Sequence, residues 1–330
     1  MVRVSLVVPT YNRAAQLAGS LPSFVEQTLP ASDYEILVVD NNSKDAAGAA
    51  VQAVLGASGR SWRLLSEPRQ GLHHARNKGL LEAAGDVVVF GDDDIVAGRD
   101  WLESILSEFD ANVRAGVVGG RVVPLWAEPP PDWVYDYGTE KTHGVFAYVD
   151  HGPERQVLAD GYVMGCNFAI RRELALRIGG SCPDTFPRHL KHLSGLGEYA
   201  MIDAVRGLGH EVVYLPGACV GHRVEPSRAT LDYFIDRYER WAAEEVNGAF
   251  RNLGRWRASW RILGSLPRGL LSAYLGGRGK RNTGYFRAIQ KRRVAYMAAQ
   301  TLRLLMDPSL YRYVARENHL EGSDAADRRA

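Results

Sequence analysis

The stretch "VVVFGDDDIVAGRDWL" (residues 87–102) joins a run of apolar, strand-forming residues to three consecutive aspartates, Asp92, Asp93 and Asp94. Adjacent carboxylates repel one another, so a strand that ends in three of them calls for a cation or a polar ligand. Three more strand-like runs precede it: "VRVSLVV" (2–8), "EILVVD" (35–40) and "WRLLSE" (62–67). Helical stretches lie between them at about 13–27, 46–55 and 73–84, and another follows at about 101–109. Near-continuous apolar strands alternating with helices predict an α/β fold with a doubly wound, Rossmann-like, mostly parallel sheet covered on both faces. In a sheet of order 3-2-1-4, strands 1 and 4 are neighbours at the topological switch point, and ligands bind there, outside the carboxyl ends of the strands.

The residues expected at those ends are "PTYN" (9–12), "DNNS" (40–43) and the aspartate run. A D-x-D pair, here Asp92 and Asp94, is a hard-oxygen site suited to Mg²⁺ or Mn²⁺, ions that keep several waters and bridge substrate phosphates. An isolated acidic triplet would more readily serve as the acidic start of the helix near Asp100. At a switch point opposite "PTYN" and beside "DNNS", the ligand role is the better account.

The composition is that of a globular protein: 330 residues, 46% hydrophobic and 24% charged. Cys166, Cys182 and Cys219 have no metal-ligand spacing and are expected to be buried thiols in a reducing compartment. The chain opens straight into a strand-like segment, without a signal-peptide pattern, and has no apolar run of the roughly 18 residues a membrane span needs. A cytoplasmic protein is expected. The net charge of +2 hides an asymmetry, because residues 246–306 carry thirteen Lys plus Arg and no acid.

Four ordered segments, "VSLVVPTYNRAAQLAGSLPSFVEQT", "YEILVVDNNSKD", "EPRQGLHHARNKGL" and "GDVVVFGDDDIVAGRDWL", resemble the family 2 glycosyltransferases of the GT-A fold, and the likeness runs on through "GCNFAIRRE" and "GHEVVYLPGACVGHRV" to about residue 225. The resemblance implies an inverting transferase that uses a nucleotide-diphosphate sugar, with a UDP-sugar the expected donor and GDP and TDP left open. It implies that Pro9, Thr10, Tyr11, Asn12, Asp40 and Asn42 hold the base and ribose, and that Arg76 and Asn77 line the nucleotide side. Asp92 and Asp93 would face the ribose and metal, Asp94 would be the principal metal ligand, and His222 would stand near the metal. Asn12 could equally cap the following helix.

One position departs from the family pattern. An aspartate that serves as the base usually follows a glutamate after the acceptor loop, whereas "GLGEYAMIDA" has Tyr199 there. A phenol with a reference pKa of about 10 is a poor base near neutrality. Glu198 is therefore the expected base, with Asp203, one turn further along, as the alternative. Acceptor choice is expected to depend on the Pro- and aromatic-rich region 126–144, read as an ordered loop or lid, and on the loop at 186–195.

The basic segment mixes its cations with Trp256, Trp260, Tyr274, Tyr285, Phe286 and Tyr296 at roughly helical spacing. Such helices lie in membrane interfaces, with about 1 kcal/mol per cation near an anionic surface. The expectation is peripheral association with the inner face of the plasma membrane and a glycan or lipid-linked acceptor, with no nucleic-acid partner. A helical subdomain packed on the body, or an oligomer interface, is the competing expectation. The expected organisation is a catalytic domain at 1–225, divided near 120 into nucleotide and acceptor halves, a helical basic extension at 226–320 and a disordered tail at 321–330. A sugar nucleotidyltransferase is disfavoured because "PTYNRAAQL" lacks a Gly-rich phosphate loop, and a non-catalytic sugar-nucleotide binder is suggested only by Tyr199.

Overall fold

The first 91 residues build strands β1 (Val4–Thr10), β2 (Tyr34–Asp40), β3 (Ser61–Ser66) and β4 (Val87–Gly91), alternating with helices α1 (Ala14–Val25), α2 (Ala47–Leu55) and α3 (Leu72–Glu82). The structure is a computed structural model that describes residues 1–137, 142–277 and 279–320. The expected tail at 321–330 and residues 138–141 of the expected lid lie outside the described residues. The four strands run parallel in the order β3-β2-β1-β4. All seven residues of β1 are buried, as a central strand covered on both faces requires. Pairing with β4 stops at Val7–Phe90, while pairing with β2 continues to Thr10–Asp40. Pro9, which has no N–H, thus falls where β1 has a ladder on one side only. The strand runs two residues further than its apolar pattern suggests and carries Thr10 to the crevice.

Beyond β4 the sheet becomes mixed. Strand β5 (Ile95–Ala97) follows the aspartates, and β6 (Ala115–Trp126) follows helix α4 (Trp101–Ala111). Short strands β7 (Thr142–His143), β8 (Tyr148–Val149) and β9 (Gln156–Val157) lie at its margin, and β10 (Asn167–Arg171) inserts antiparallel between β4 and β6. Helices α5 (Arg172–Arg177) and α6 (Gly197–Gly207) precede β11 (Glu211–Val224), which pairs parallel to β6 and antiparallel to β5. The fully buried Trp101 donates its indole N–H to Asn167 Oδ1 at 2.8 Å, which locks the start of α4 to β10. Where β11 shifts register between Leu215 and Val220, Gly120 meets it so closely that an added Cβ would lie 1.7 Å from the Ala218 carbonyl oxygen.

The rest of the chain is helical: α7 (Leu231–Leu253), α8 (Arg255–Leu275), α9 (Thr283–Met306) and α10 (Pro308–Val314). Ala242, Val246, Phe250, Ala258, Ile262, Met297 and Leu304 form their shared core, joined by Phe186 and Leu190 from the preceding half. A short 3-10 helix at Asp132–Tyr137 stands where a loop was expected, and its Val134 and Tyr137 pack with Phe146 and Phe234 of α7. The chain then returns to the sheet domain. His319 donates its N–H to the Gly179 carbonyl at 2.8 Å, and Leu320 packs against the main core. Cys166 and Cys182 are buried, Cys219 is partly buried, and all three are free thiols.

The Gly120 contact sets a stability test. Gly120→Ala should cost about 1–3 kcal/mol by overpacking, read by urea denaturation. Gly207→Ala, on α6 with open space around the added Cβ, should leave stability equal or slightly raised.

Candidate active site

A cavity of ≈ 370 Å³ opens at the carboxyl ends of β1 and β4, lined by Pro9, Thr10 and Tyr11, by the aspartate triplet, and by residues from α3, the 184–187 loop, α6 and α7. The triplet occupies the turn between β4 and β5. Because β5 pairs with β11, Ile95 lies opposite His222, and this register brings the histidine beside Asp94.

The cations that offset the three carboxylates are arginines. Arg13, one residue before α1, reaches Asp93 Oδ1 at 3.0 Å and Asp94 Oδ2 at 2.8 Å. Arg228 donates to Asp94 Oδ2 at 2.7 Å, and Arg76 of α3 lies 3.4 Å from Asp92 Oδ1. Thr10 adds a hydroxyl bond to Asp93 at 2.8 Å. Burial pushes the Asp93 carboxyl up to about 7 against the pull of Arg13. Burial would raise Asp94 as well, but His222, Arg13 and Arg228 hold it well below the usual carboxylate range.

His222 Nε2 lies 3.4 Å from Asp94 Oδ1 and 3.1 Å from an Arg228 nitrogen. A guanidinium can only donate, so Nε2 accepts from Arg228 when the proton is on Nδ1, whereas a protonated Nε2 faces Asp94. Asp94 Oδ1 and His222 Nδ1 are buried without a hydrogen-bond partner. An orphaned carboxylate oxygen beside the carboxylate of Asp92 suits a hard divalent ion. Among the described residues no group of three His, Cys, Asp or Glu side chains could hold a metal, so such an ion would take most of its ligands from water and substrate.

On the expected nucleotide side the outcome is divided. Pro9, Thr10, Tyr11 and Arg76 line the cavity, whereas Asn12, Asp40, Asn42 and Asn77 do not. Asn12, at φ 53°, ties two loops together: its N–H donates to Ser43 Oγ and its Oδ1 accepts from the Lys44 N–H. It does not cap α1, whose preceding residue is Arg13. Asp40 accepts from the Ser43 N–H, and Asn42 sits in a left-handed turn at φ 67° with Lys44 on its side chain. The member of "DNNS" that lines the cavity is Asn41, which accepts from the Gly71 N–H at 2.9 Å and donates to the carbonyls of Glu67 and Arg69. Asn77 is buried and structural: it donates to the carbonyls of Ser181 and His319, both at 3.1 Å.

The far wall settles where the doubtful carboxylates stand. Helix α6 begins at Gly197 with φ 49°, where an added Cβ would lie 2.9 Å from Asp184 Cγ, so only glycine fits. The next residue, Glu198, lines the cavity and accepts from the Gly165 N–H at 3.2 Å. Burial, with the charge of Asp184 adding and Arg76 opposing, pushes its carboxyl up to about 7. Tyr199 turns away and packs on Tyr162 at 4.8 Å between ring centroids, and burial keeps its phenol protonated. Asp203 lies outside the cavity, 77% exposed and 3.8 Å from Arg206, because one further helical turn carries it to solvent. Arg13, Asn41, Asp184 and Arg228 also line the site without having been singled out in the sequence. Arg13 directly follows "PTYN" and was readable there, while no motif marks Arg228.

The profile of glycosyl transferase family 2 matches residues 5–179. The glucosyl-dolichyl phosphate glucuronosyltransferase of Haloferax volcanii is 26% identical over 238 residues, 72% of this chain and 74% of the relative. Glycosyltransferase AglE of the same organism is 26% identical over 187 residues, 57% of each chain. Among solved structures, the mannosyltransferase PcManGT of Pyrobaculum calidifontis, in complex with GDP-Man and Mn²⁺, has a TM-score of 0.58 at 22% identity over 93% of this chain and 88% of its own. Staphylococcus aureus TarS with UDP-GlcNAc has a TM-score of 0.53 at 15% identity over 92% of both. These likenesses show the GT-A fold.

Arg76 is buried and paired with Asp92 and Asp184, so Arg76→Met leaves two carboxylates without their cation. A loss of about 3–5 kcal/mol is expected on chemical denaturation, with part recovered in the Arg76→Met/Asp184→Asn double variant.

Proposed function

The chain belongs to glycosyl transferase family 2, and we propose that it moves a sugar, with inversion, from a nucleotide-diphosphate donor to a hydroxyl of a glycan or lipid-linked acceptor. The observation that carries this reading is one cavity that joins an acidic triplet at the switch point to Glu198, a carboxyl poised near neutrality. Glu198 takes the acceptor's proton as the hydroxyl oxygen bonds to the anomeric carbon, and the bond to the diphosphate breaks with its electron pair leaving on the phosphate oxygen. The Gly165 N–H fixes Glu198 in place, and the charge of Arg76 favours its ionised form. A divalent ion, Mg²⁺ or Mn²⁺, held by Asp94 and Asp92 with His222 beside them, supplies charge neutralisation for the leaving diphosphate when bound. Pro9, Thr10, Tyr11 and Asn41 form the base and ribose end. A UDP-sugar is the proposed donor, although the two structural neighbours hold GDP-Man and UDP-GlcNAc. The non-catalytic alternative rested on Tyr199, whose ring lies outside the cavity.

The proposed acceptor is presented at a membrane. Helix α8 exposes Trp256, Trp260, Leu270, Leu271 and Tyr274 together with Arg257, Arg261 and Arg268, and it carries no acid. Other cations of the basic segment are spent internally, Arg292 on Glu239 at 2.7 Å and Arg293 on Glu245. What remains is an amphipathic face suited to lying in an anionic interface. Among the described residues no helix is long and apolar enough to cross a membrane. Peripheral placement at the inner face of the plasma membrane follows as part of the proposal, and the relative from Haloferax volcanii is named for a lipid-linked compound, glucosyl-dolichyl phosphate.

A panel of UDP-, GDP- and TDP-sugars with Mn²⁺, read as thermal stabilisation, identifies the donor. With that donor, Glu198→Gln should lower kcat by about 10²–10⁴-fold, while Asp203→Asn stays near the wild type; the reverse order sinks the assignment. The base must be ionised to act, so kcat/KM of the wild type should fall as pH drops through about 7. Glu198→Gln should lose that limb.

Binding to vesicles of phosphatidylcholine with phosphatidylglycerol should weaken as salt rises and should drop in Trp256→Ala/Trp260→Ala. Equal binding to vesicles of phosphatidylcholine alone would remove the electrostatic part.

A further inference from the structure

One guanidinium in the cavity has no role in the transfer chemistry described above. Arg237 of α7 lines the cavity with Tyr233, one turn earlier on the same helix. Arg13, Arg76 and Arg228 are each held by carboxylates. Arg237 has no ion pair or hydrogen bond among the described residues, and its Nε is buried without a partner. Its guanidinium lies over the face of Trp241, 5.5 Å from the ring centroid. That ring is itself backed by Gly144, where an added Cβ would come within 3.0 Å of it, so the 144–147 segment closes the wall around this platform.

The carboxylates that bear on Arg237 electrostatically are Glu244, Asp184 and Glu198, and the aspartate triplet is not among the leading ones. Asp184 is committed to Arg76, and burial pushes Glu244 up to about 8, which leaves it a weak counter-charge at neutral pH. A guanidinium whose charge is favoured by acids that do not accept its N–H groups leaves a buried donor unsatisfied. Such a donor is worth holding where an incoming anion accepts from it. A planar fork stacked on an aromatic face is pre-organised for the two oxygens of a phosphate. Arg237 shares the cavity with Glu198, which also bears on it electrostatically, so an anion held there can belong to the acceptor that Glu198 deprotonates.

We propose that Arg237 binds the phosphate of a phosphate-bearing, lipid-linked acceptor and thereby positions the acceptor's hydroxyl at Glu198. This rests on the glycosyl-transfer reading and adds to it the chemical class of the acceptor. The phosphate could alternatively be that of the donor, and the two sources are separable by experiment. Arg237 would be a specificity residue, while the exposed face of α8 would meet the membrane that carries the lipid.

The test is calorimetric titration of the full chain with farnesyl phosphate, with farnesol, and with UDP or GDP in the presence of Mn²⁺. Farnesyl phosphate should bind the wild type and lose roughly tenfold or more in affinity in Arg237→Met, the scale of one charged hydrogen bond. Farnesol should be indifferent to the substitution, and nucleotide affinity should change much less than farnesyl phosphate affinity. Arg237→Gln, polar and uncharged, should match Arg237→Met if lost charge rather than lost packing is the cause, and thermal melts check that both variants fold. Absence of farnesyl phosphate binding to the wild type, or equal binding in the variants, overturns the proposal. Loss of nucleotide binding with farnesyl phosphate unmoved also overturns it and assigns Arg237 to the donor's diphosphate. A wild type that binds farnesyl phosphate through Arg237 but no nucleotide supports the phosphate site and sinks the transfer reading instead.

Discussion

Three carboxylates can share one strand end in this molecule because three distant segments deliver guanidinium groups to it. Arg13 comes from the turn after β1, Arg76 from α3 and Arg228 from the segment after β11. An uncompensated buried carboxylate costs several kcal/mol, so the pairings that bring these segments together are enforced by electrostatics as well as by packing. The β1–β4 adjacency supplies Thr10 and Arg13, and the β5–β11 ladder supplies His222 and then Arg228. The turn at 92–94 is thus the point on which the two halves of the sheet agree.

The same accounting explains the helical extension. Acids on α7 are met by cations both from elsewhere and from the helix itself: Glu239 by Lys191 and Arg292, and Asp236 by Lys191 and, one turn along α7, by Arg240. The extension's positive charge is therefore partly internal, and it is α8, without acidic neighbours in sequence, that keeps an exposed basic face. Apolar and basic residues coexist on that face because no other element of the described chain covers it.

The parallel half of the fold was legible because each strand there is buried on both faces, and burial leaves a continuous apolar run that a reader can find. The crevice at the switch point followed from that pattern once a doubly wound 3-2-1-4 order was taken for it, and the strands do take that order. The antiparallel insertion of β10 was not legible, since the chain leaves β4 at Gly91 and returns to pair with it only at Asn167. Site residues followed the same division. The triplet was marked by the strand pattern, and Thr10, Arg76, Glu198 and His222 by the family resemblance; all lie on regular elements or at their ends. Asn41 against Asn42 is a one-residue choice made by a left-handed turn, which composition does not announce. Asp203 looked plausible because it shares a helix face with Tyr199, but Tyr199 itself faces outward, so sharing its face meant leaving the cavity. Arg228 sits in a short 3-10 turn with no motif around it.

Asn77 was read as a nucleotide contact and is instead a clasp, gripping the His319 carbonyl 242 residues later in the chain. Its neighbour Arg76 is the residue that organises Asp92 and Asp184. At the roughly 5–20 residues per second of polypeptide synthesis, the clasp waits about 12–50 s for its partner to be made. Helix α3 is therefore complete in sequence long before its last tether exists, and the loop that the tether closes is among the longest the described chain contains. The nascent protein can assemble its parallel sheet early and tie the helix carrying its central arginine to Ser181, yet the bond from that helix to His319 forms only once the later segment has been made.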